Sequence, residues 1–290
     1  MSLLYGITTT TDIYKIAQYL QQKETTPILI LSMSLVAVAF AFKIAAAPFH
    51  MWAPDVYEGA PTSVTAFMSV GPKAAGFAVI GRVFYVAFYN LQADWTTVFI
   101  AIAILTMAVG NILAIVQTNI KRMLAYSSIA HAGYALLGVI AGTNEGLNAM
   151  MTYLLIYAFM NIGAFAIVIL LHKGEEIKDY DGLAKSHPLV AATMLVFMFS
   201  LTGIPPTAGF IGKFNVFMAA INAGYTWLVV IAVIFSAISA YYYLRVVMNM
   251  YMKNMTEEAK IISSLALSGA IFIAAISVLV IGIIPSLVII

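Results

Sequence analysis

The chain has 290 residues, of which 63% are hydrophobic and only 9% are charged. Soluble domains average about 45–50% apolar and about 25% charged residues, so this composition excludes an ordinary soluble fold and indicates a membrane protein. The formal net charge of +2 is too small to indicate a nucleic-acid partner. Cysteine is absent, which excludes disulfides, iron–sulfur clusters and cysteine zinc sites.

The first predicted element is a polar N-terminal segment, residues 1–26. It has no short apolar run after a basic start, so it is not expected to be a signal peptide. The spacing of Ile13, Ile16, Ala17 and Leu20 predicts one short amphipathic helix at the membrane surface. A frayed terminus is the alternative.

The predicted fold of residues 27–290 is an all-α, polytopic membrane helix bundle. A helix that crosses the membrane needs about 20 apolar residues, and eight segments of this kind follow one another, each bounded by polar residues, glycine or proline. They lie at 27–49, 62–89, 95–117, 122–141, 147–171, 189–220, 226–250 and 262–288. We therefore expect about eight transmembrane helices.

At least one of these helices is predicted to be broken. The segment 189–220 is too long for one straight span, and Gly203, Pro205 and Pro206 lie near its middle. Pro48 interrupts the first segment in a comparable context. Broken helices persist in lipid where protein or water satisfies the freed backbone groups, so they tend to line internal paths. A proline kink that serves packing alone is the alternative.

The basic residues of the predicted loops favour one orientation, because lysine and arginine accumulate on the cytoplasmic side. The loops after the first, third, fifth and seventh segments hold eight of them, and the opposite side holds two. The eight are Lys121, Arg122, Lys173, Lys178, Lys185, Arg245, Lys253 and Lys260, and the two are Lys15 and Lys23. Both termini are therefore predicted to face away from the cytoplasm.

Apart from Arg122 and Arg245, which lie toward the ends of their segments and are counted with the loops, four basic residues and one histidine fall inside predicted spans: Lys43, Lys73, Arg82, Lys213 and His131. An ionised side chain at mid-membrane costs at least about 2.5–3.5 kcal/mol, so such residues are usually functional. Lys43 is nearer the end of its span and could instead extend to the membrane surface. Arg82 stays protonated in practically any site, which favours an ion pair or carbonyl binding over proton transfer.

The lysines and the histidine are candidate proton carriers. Burial disfavours the ammonium form, so a buried lysine can both accept and release a proton. His131 has two ring nitrogens and could connect water chains between lysines, or it could simply be satisfied by backbone or by Tyr134. All twelve carboxylates fall outside the predicted spans, which leaves the lysines without an evident counter-ion in this chain.

The sequence shows no signature of a bound cofactor. Lys213 lacks the upstream glycine and the following hydroxyl residue of a phosphate-binding loop. His50, His172 and His187 show no metal-ligand spacing. We therefore predict no cofactor and no metal, and expect proton movement to take its energy from partner proteins or from another ion gradient.

Three motifs resemble a known family. They are Phe42-Lys43-Ile44 with PFHMWAPDVYEGAPTSVTAF at 48–67 and Gly71-Pro72-Lys73, then NIKRMLAYSSIAH at 119–131, and LTGIPPTAGFIGKF at 201–214. Together they resemble subunit N of bacterial NADH:quinone oxidoreductase, respiratory complex I, along almost the whole chain. The YEGAP spelling at 57–61 resembles subunit N more than the related L and M subunits or sodium/proton antiporter subunits.

The resemblance implies an antiporter-like, proton-translocating subunit of the bacterial inner membrane. Lys43, Lys73 and Lys213 match the family lysines of the proton path, and His131 matches its central histidine. The implied partners are other membrane subunits of complex I, including neighbouring antiporter-like subunits, and the lipid bilayer, without direct NADH binding. The competing hypotheses are a subunit of a related cation/proton antiporter or membrane-bound hydrogenase, and a structural scaffold whose lysines only anchor lipid or helices.

One departure from the family is large. Subunit N has about fourteen spans, and Met1 falls where the seventh would begin, so the first six are expected to be missing. Among them is the family's fifth-span glutamate, the usual partner of the lysine that matches Lys43. A split gene, a truncated sequence and a fragment of a longer subunit remain the alternatives.

Overall fold

The computed structural model describes residues 1–22, 25–171, 174–255, 261–262 and 264–288. Lys23, Glu24, His172, Lys173, Glu257, Glu258 and Lys260 lie outside the described residues, and so do the predictions that involve them. The described helices are α1 Ser2–Thr8, α2 Ile13–Gln22, α3 Pro27–Lys43, α4 Trp52–Gly59, α5 Thr62–Arg82, α6 Gln92–Ile115, α7 Ile120–Ile140, α8 Asn144–Leu170, α9 Leu183–Ser186, α10 Pro188–Thr202, α11 Ala208–Asn222, α12 Thr226–Met252 and α13 Leu265–Ile283.

Six of the described helices are long and apolar enough to cross a membrane: α5 with the π-helical turn that extends it to Ala87, α6 with a 3₁₀ turn before it, α7, α8, α12 and α13. The other two predicted segments are the ones that proline interrupts. The first contains α3 and the second contains α10, both of them shorter apolar helices, and the second also contains the 15-residue α11. The prediction of an all-α, polytopic bundle with at least one broken helix is confirmed.

The helix α7 runs through the centre of the bundle. Every residue from Ile120 to Ile140 except Arg122 is buried. A helix that is apolar or buried on all sides belongs to the interior of a large protein or membrane bundle. It packs closely on α6, where a Cβ on Gly110 would lie 2.5 Å from the backbone nitrogen of Ala130. Any polar side chain on α7 must therefore find its partners inside the protein.

The first break separates α3 from α4. The predicted segment 27–49 extends past the helix, because α3 ends at Lys43. Ala45 adopts a φ of 58°, which a continuing right-handed helix cannot contain. Two side chains bind the freed backbone: the N–H of Ala47 donates to Thr106 Oγ1 at 2.9 Å, and the Trp52 indole donates to the Phe42 carbonyl at 3.1 Å. The short helix α4 that follows was not predicted.

The second break separates α10 from α11, as predicted. The helix α10 ends with Gly203 at a φ of 91°, and the N–H of Gly203 returns to the Phe199 carbonyl. Helices commonly end in this way, with a left-handed residue whose N–H donates to a carbonyl of the last helical turn. The next helix is tied back to the first, because the N–H of Gly209 donates to Ser200 Oγ at 3.0 Å.

The proline beside Lys73 does not interrupt its helix. Glycine and proline ordinarily weaken a helix interior, yet α5 is continuous from Thr62 to Arg82 through Gly71 and Pro72. A proline leaves the carbonyl four residues earlier without its helical donor, and membrane helices tolerate this when a neighbour supplies one. Here the Tyr57 hydroxyl of α4 donates to the Met68 carbonyl at 3.1 Å. The irregular π-helical turn lies further on, at Val83–Ala87.

One end of the bundle carries six of the described basic residues. There Arg122 pairs with Asp55 and Glu58, both at 2.7 Å, and Lys121 binds Glu175 at 3.0 Å. Among the remaining described basic residues of the predicted cytoplasmic loops, Lys185, Arg245 and Lys253 make hydrogen bonds or ion pairs at this end, and Lys178 lines a cavity there together with Arg245 and Lys253. We call it the basic end.

The N-terminal segment contains two helices, α1 and α2, where one was expected. Ile16 and Leu20 of α2 are buried, in agreement with the predicted apolar face. This face packs on the turns at Val83–Ala87 and Tyr89–Leu91. These turns follow the last residues of α5. The first residues of α5 contact α4 near the basic end, so α2 lies toward the opposite end of the bundle.

Candidate functional site

Lys73 lies on α5 with only 3% of its surface exposed. Its ammonium donates to the carbonyl oxygen of Ser128 at 2.6 Å and to the hydroxyl oxygen of the same residue at 2.5 Å. Ser128 belongs to the central helix α7. Lys73 is therefore held inside the bundle by neutral oxygen atoms, and the possibility that it extends to the membrane surface is excluded.

Lys213 lies in the second turn of α11, just after the second break, with 4% of its surface exposed. Its ammonium donates to the carbonyls of Leu201 and Thr202 at 3.1 and 2.8 Å, and to the hydroxyl of Ser236 at 2.9 Å. It also lies 4.9 Å from the centre of the Tyr134 ring, a distance typical of cation–π contact. The two carbonyls exist as acceptors because α10 ends there.

His131 lies on α7, and 2% of its surface is exposed. Its Nδ1 contacts the Tyr153 hydroxyl at 2.5 Å and its Nε2 contacts the Tyr243 hydroxyl at 3.1 Å. The Tyr243 hydroxyl also meets Ser127 Oγ in a very short hydrogen bond. The sequence suggested Tyr134 as a partner, but Tyr134 makes only an edge-on ring contact with the imidazole.

The helix α7 connects these three groups. Ser128, which binds Lys73, and Tyr134, which lies under Lys213, are six residues apart, or about 9 Å along a helix axis. His131 lies midway between them. Serine and tyrosine hydroxyls and a neutral imidazole can each donate and accept a hydrogen bond, so each can pass a proton on. The geometry allows proton transfer along α7 between the two lysines.

Lys43 is positioned differently. It is the last residue of α3 and its side chain is exposed. Its Cγ atom lies close to α5, because a Cβ on Gly76 would lie 3.5 Å from it. Gly76 follows Lys73 by three residues, which places Lys43 about one helical turn from Lys73 along α5. The structure thus brings Lys73, His131 and Lys213 together inside the bundle and leaves Lys43 at its surface.

Arg82 is also at the surface. It is exposed in the last turn of α5, and no hydrogen bond or ion pair to it occurs within the described residues. The expected ion pair or carbonyl contact is therefore not present in this part of the chain. It lines a cavity of about 640 Å³ with Tyr85, Tyr89 and Asn144, away from the two buried lysines.

The described carboxylates lie at the helix ends and in the connections, with small differences from the predicted boundaries. Asp94 and Glu145 belong to the first turns of α6 and α8, which begin slightly earlier than predicted. Asp55 and Glu58 lie on the short helix α4. The four ion pairs found in the described ranges use other basic residues, so Lys43, Lys73 and Lys213 have no ionic partner there.

Several polar side chains around the buried lysines and the histidine were not identified from the sequence. They are Ser127, Ser128, Tyr153, Tyr157, Asn161, Ser236 and Tyr243. One signal was available on α8, where Tyr153, Tyr157 and Asn161 recur every four residues and so share a helix face. No comparable spacing marks Ser128 or Tyr243.

Comparison with known proteins identifies the family of this chain. Residues 1–239 match the family described as "NADH:quinone oxidoreductase/Mrp antiporter, TM". The chain therefore belongs to this family of membrane subunits, and it is a multi-pass membrane protein. Among relatives, it is 54% identical over 285 residues to NADH-quinone oxidoreductase subunit N 1 of Thermodesulfovibrio yellowstonii, covering 98% of this chain and 62% of that protein.

Solved structures show the same fold. A chain of respiratory complex I from Thermus thermophilus with bound aureothin superposes with a TM-score of 0.84 at 35% identity, covering 99% of this chain and 63% of that one. A chain of an archaeal membrane-bound sulfane sulfur reductase superposes with a TM-score of 0.86 at 28% identity, covering 98% and 59%. The chain spans 53–62% of the length of the curated relatives that it matches.

Proposed function

We propose that this chain acts as a proton-translocating membrane subunit of NADH:quinone oxidoreductase, in which Lys43, Lys73, His131 and Lys213 relay protons at mid-membrane. The family match and the relatives named subunit N support this proposal. No redox step is assigned to the chain itself, and NADH and the quinone are expected to bind to other subunits. The chain would assemble with other membrane subunits, including neighbouring antiporter-like ones.

The main observation in support of the proposal is that Lys73 and Lys213 are both buried and that each contacts a residue of α7. Lys73 and Lys213 are bound by carbonyl and hydroxyl oxygens rather than by carboxylates. Such oxygens stabilise an ammonium without neutralising its charge. A charge that arrives from a neighbouring group can therefore shift the balance between the protonated and the neutral amine, which a proton relay requires.

The basic end supports an orientation for this subunit. Basic residues accumulate on the cytoplasmic side of membrane proteins, and six of those assigned to that side are described and lie at the basic end. We therefore propose that the basic end faces the cytoplasm of a bacterial inner membrane and that both termini face away from it.

Substitution of the two buried lysines tests the proposed function. Lys73→Met and Lys213→Met would be introduced into the complete complex, and NADH-driven proton uptake would be measured in inverted membrane vesicles. We expect proton uptake to be lost in both. Lys185→Met is the matched control, because Lys185 bonds Asn254 at an exposed position of the basic end. Full uptake in both test variants would favour the scaffold hypothesis instead.

A second candidate function has support from the family itself, whose description covers the Mrp antiporter as well as NADH:quinone oxidoreductase. A subunit of a cation/proton antiporter or of a membrane-bound hydrogenase would use the same buried lysines with different partners. Purification of the native complex separates the two. NADH-oxidising subunits that accompany the chain would support the first function, and their replacement by antiporter or hydrogenase subunits would support the second.

A further inference from the structure

A cavity of about 600 Å³ lies at the basic end, where α6 and α12 end. Three basic side chains and one buried amide contribute to its lining: Lys178, Arg245, Lys253 and Asn249. Glu176 also lines it, and Asp181 pairs with Lys253 at 3.4 Å. Three cationic groups against two carboxylates leave a net positive charge, so the cavity favours a ligand that carries an anionic group.

The guanidinium of Arg245 is fixed at the end of α6. It donates to the Ile115 carbonyl at 2.8 Å and to the Gln117 carbonyl in a very short hydrogen bond. Its Nε atom is buried and has no acceptor within the described residues, and none of the four ion pairs found there includes Arg245. A buried donor without an acceptor and a half-buried cation without a counter-ion are both costly. Arg245 therefore lacks an anionic acceptor.

Lys178 and Lys253 lie beside Arg245 in the lining of the cavity, and both side chains are exposed. The ammonium of Lys178 forms none of the ion pairs between described residues. Exposed lysines are ordinarily hydrated, so these two do not indicate a ligand by themselves. Next to an incompletely satisfied arginine at the end of two membrane helices, they supply the positive charge that attracts anionic headgroups.

Exposed apolar side chains lead away from the cavity along both helices. Ile112 on α6 and Val116 directly after it are one turn apart, and both are more than half exposed. Tyr241 and Met248 on α12 are also more than half exposed. They lie one turn before and one turn after Arg245, on the same face of the helix. Because α6 and α12 pack on each other, an apolar surface adjoins the basic cavity.

We propose that this cavity binds the phosphate of an anionic phospholipid whose acyl chains lie along α6 and α12. Phosphate oxygens match the planar N–H donors of a guanidinium, and Lys178 and Lys253 supply further donors. A free phosphate ion would satisfy Arg245 but would leave the adjoining apolar surface uncovered. The inference concerns binding alone, so it does not depend on the proton relay proposed for this chain.

Photolabelling of the complete membrane complex tests the site. The complex is reconstituted into phosphatidylcholine liposomes that contain a trace of phosphatidylglycerol with a diazirine in one acyl chain. After illumination, mass spectrometry measures the labelling of the peptides that contain Ile112 and Tyr241. Labelling at Phe272 reports ordinary lipid contact, because Phe272 is exposed on α13, which packs on α8, α10 and α11.

We expect both peptides to be labelled more strongly than α13. Unlabelled phosphatidylglycerol should compete for this labelling, and inorganic phosphate at the same ionic strength should not. Equal labelling by a phosphatidylcholine probe would show ordinary lipid contact and would overturn the proposal. Displacement by inorganic phosphate as effective as that by phosphatidylglycerol would identify a site for a free anion, and would overturn it as well.

Substitutions assign the labelling to the cavity. Lys178→Gln and Lys253→Gln should each lower it about fivefold, which corresponds to about 1 kcal/mol for each lysine near a membrane surface. Lys185→Gln is the matched control, because Lys185 is an exposed basic residue of the same end that bonds Asn254 outside the cavity. Its labelling should equal that of the unsubstituted complex.

Arg245→Gln should abolish the preference for phosphatidylglycerol. This substitution also removes donors from the carbonyls at the end of α6, so assembly of the complex is measured in parallel. If Arg245→Gln prevents assembly, the two lysine variants decide, because their side chains are exposed. Labelling that stays unchanged in Lys178→Gln and Lys253→Gln, or in an assembled Arg245→Gln complex, would refute the lipid site.

Discussion

The ammonium of Lys213 binds the carbonyl oxygen of Thr202 at 2.8 Å across the second break. Thr202 is the last residue of α10, and its carbonyl has no helical donor because the helix stops there. The negative end of a helix dipole also favours a nearby cation. The residue proposed to carry a proton thus stabilises the end of the preceding helix. Its protonation state is coupled to the geometry of the break.

This coupling gives different expectations for two substitutions of Lys213. Lys213→Met removes the donor from the carbonyls of Leu201 and Thr202, and a buried carbonyl left unpaired costs about 1–3 kcal/mol. We expect a lower thermal unfolding temperature of the complex together with lost proton uptake. Lys213→Arg keeps a cation and its donors but cannot release a proton. We expect that variant to assemble well and to lose proton uptake.

Thermal unfolding and proton uptake measured on the same preparations distinguish the two roles of Lys213. Lys185→Met, at an exposed position of α9, serves as control and should leave both quantities unchanged. If Lys213→Arg took up protons at the normal rate, Lys213 would be a helix cap and not a proton carrier.

A second prediction concerns Ser128, which accepts two hydrogen bonds from Lys73. Ser128→Ala leaves the carbonyl in place but removes the hydroxyl, and a hydrogen bond to a charged group contributes about 1.5–3 kcal/mol. We expect slower proton uptake and a lower unfolding temperature. Ser268→Ala, at an exposed position of α13, is the matched control.

A double-mutant cycle shows whether the effect of Ser128→Ala passes through Lys73. Residues in contact give non-additive changes in free energy. Ser128→Ala should therefore have little further effect on proton uptake in a Lys73→Met background. Additive losses in the double variant would mean that Ser128 acts independently of Lys73.

The apolar pattern and the prolines predicted much of the fold from the sequence. Each of the eight predicted segments contains an apolar helix, and the break near Pro205 occurs where the segment exceeds one span. The continuity of α5 through Pro72 could not be predicted, since it depends on a hydroxyl from Tyr57, which precedes Met68 by eleven residues and belongs to another helix.

The partners inside the candidate site were less predictable. Lys73 and Lys213 were identified because a charge is rare in an apolar segment, whereas serine and tyrosine do not disturb that pattern. Ser128 follows Lys73 by 55 residues, and Tyr243 follows Ser127 by 116. Such pairs meet only through the packing of α5, α7 and α12, which a single sequence does not specify.

The third prediction concerns Tyr243, whose hydroxyl meets both His131 and Ser127. Tyr243→Phe keeps the ring and its packing but removes the only hydroxyl of that side chain. Transfer between the Ser127–Ser128 pair and the imidazole should then slow, and His131 Nε2 and Ser127 Oγ each lose a buried partner, so we expect reduced proton uptake with a lower unfolding temperature. Tyr251→Phe, at an exposed position near the end of α12, is the control. An unchanged rate in Tyr243→Phe would exclude Tyr243 from the path.

The fourth prediction tests orientation. Glu145 lies in the first turn of α8 and Lys178 follows the end of that helix, so the 27 residues of α8 separate them by about 40 Å. Both are exposed, and the chain contains no native cysteine. Cysteine placed at Lys178 should react with a membrane-impermeant maleimide only from the cytoplasm, and cysteine at Glu145 only from outside. The reverse labelling pattern would show that the assigned orientation is inverted.

The last prediction concerns Lys43 and the acidic partner that it needs for proton transfer. Lys43 is exposed at the end of α3, and none of the four ion pairs in the described ranges includes it. An opposite charge within about 4–6 Å is what normally favours the ammonium form of a lysine in an apolar environment. We therefore expect Lys43 to need an acidic partner that the described residues do not supply.

Reconstitution of the chain tests this expectation. Residues 1–290 alone, inserted into liposomes with a pH gradient and valinomycin, should give no proton flux above that of empty liposomes. Lys73 and Lys213 have their buried hydrogen-bond partners within this chain, but the described residues give Lys43 no acidic partner with which to exchange a proton. Lys43→Met in the complete complex should lower proton uptake, because there the partner is present. Flux through the isolated chain that disappears in both Lys43→Met and Lys213→Met would show that the relay is complete without an added carboxylate.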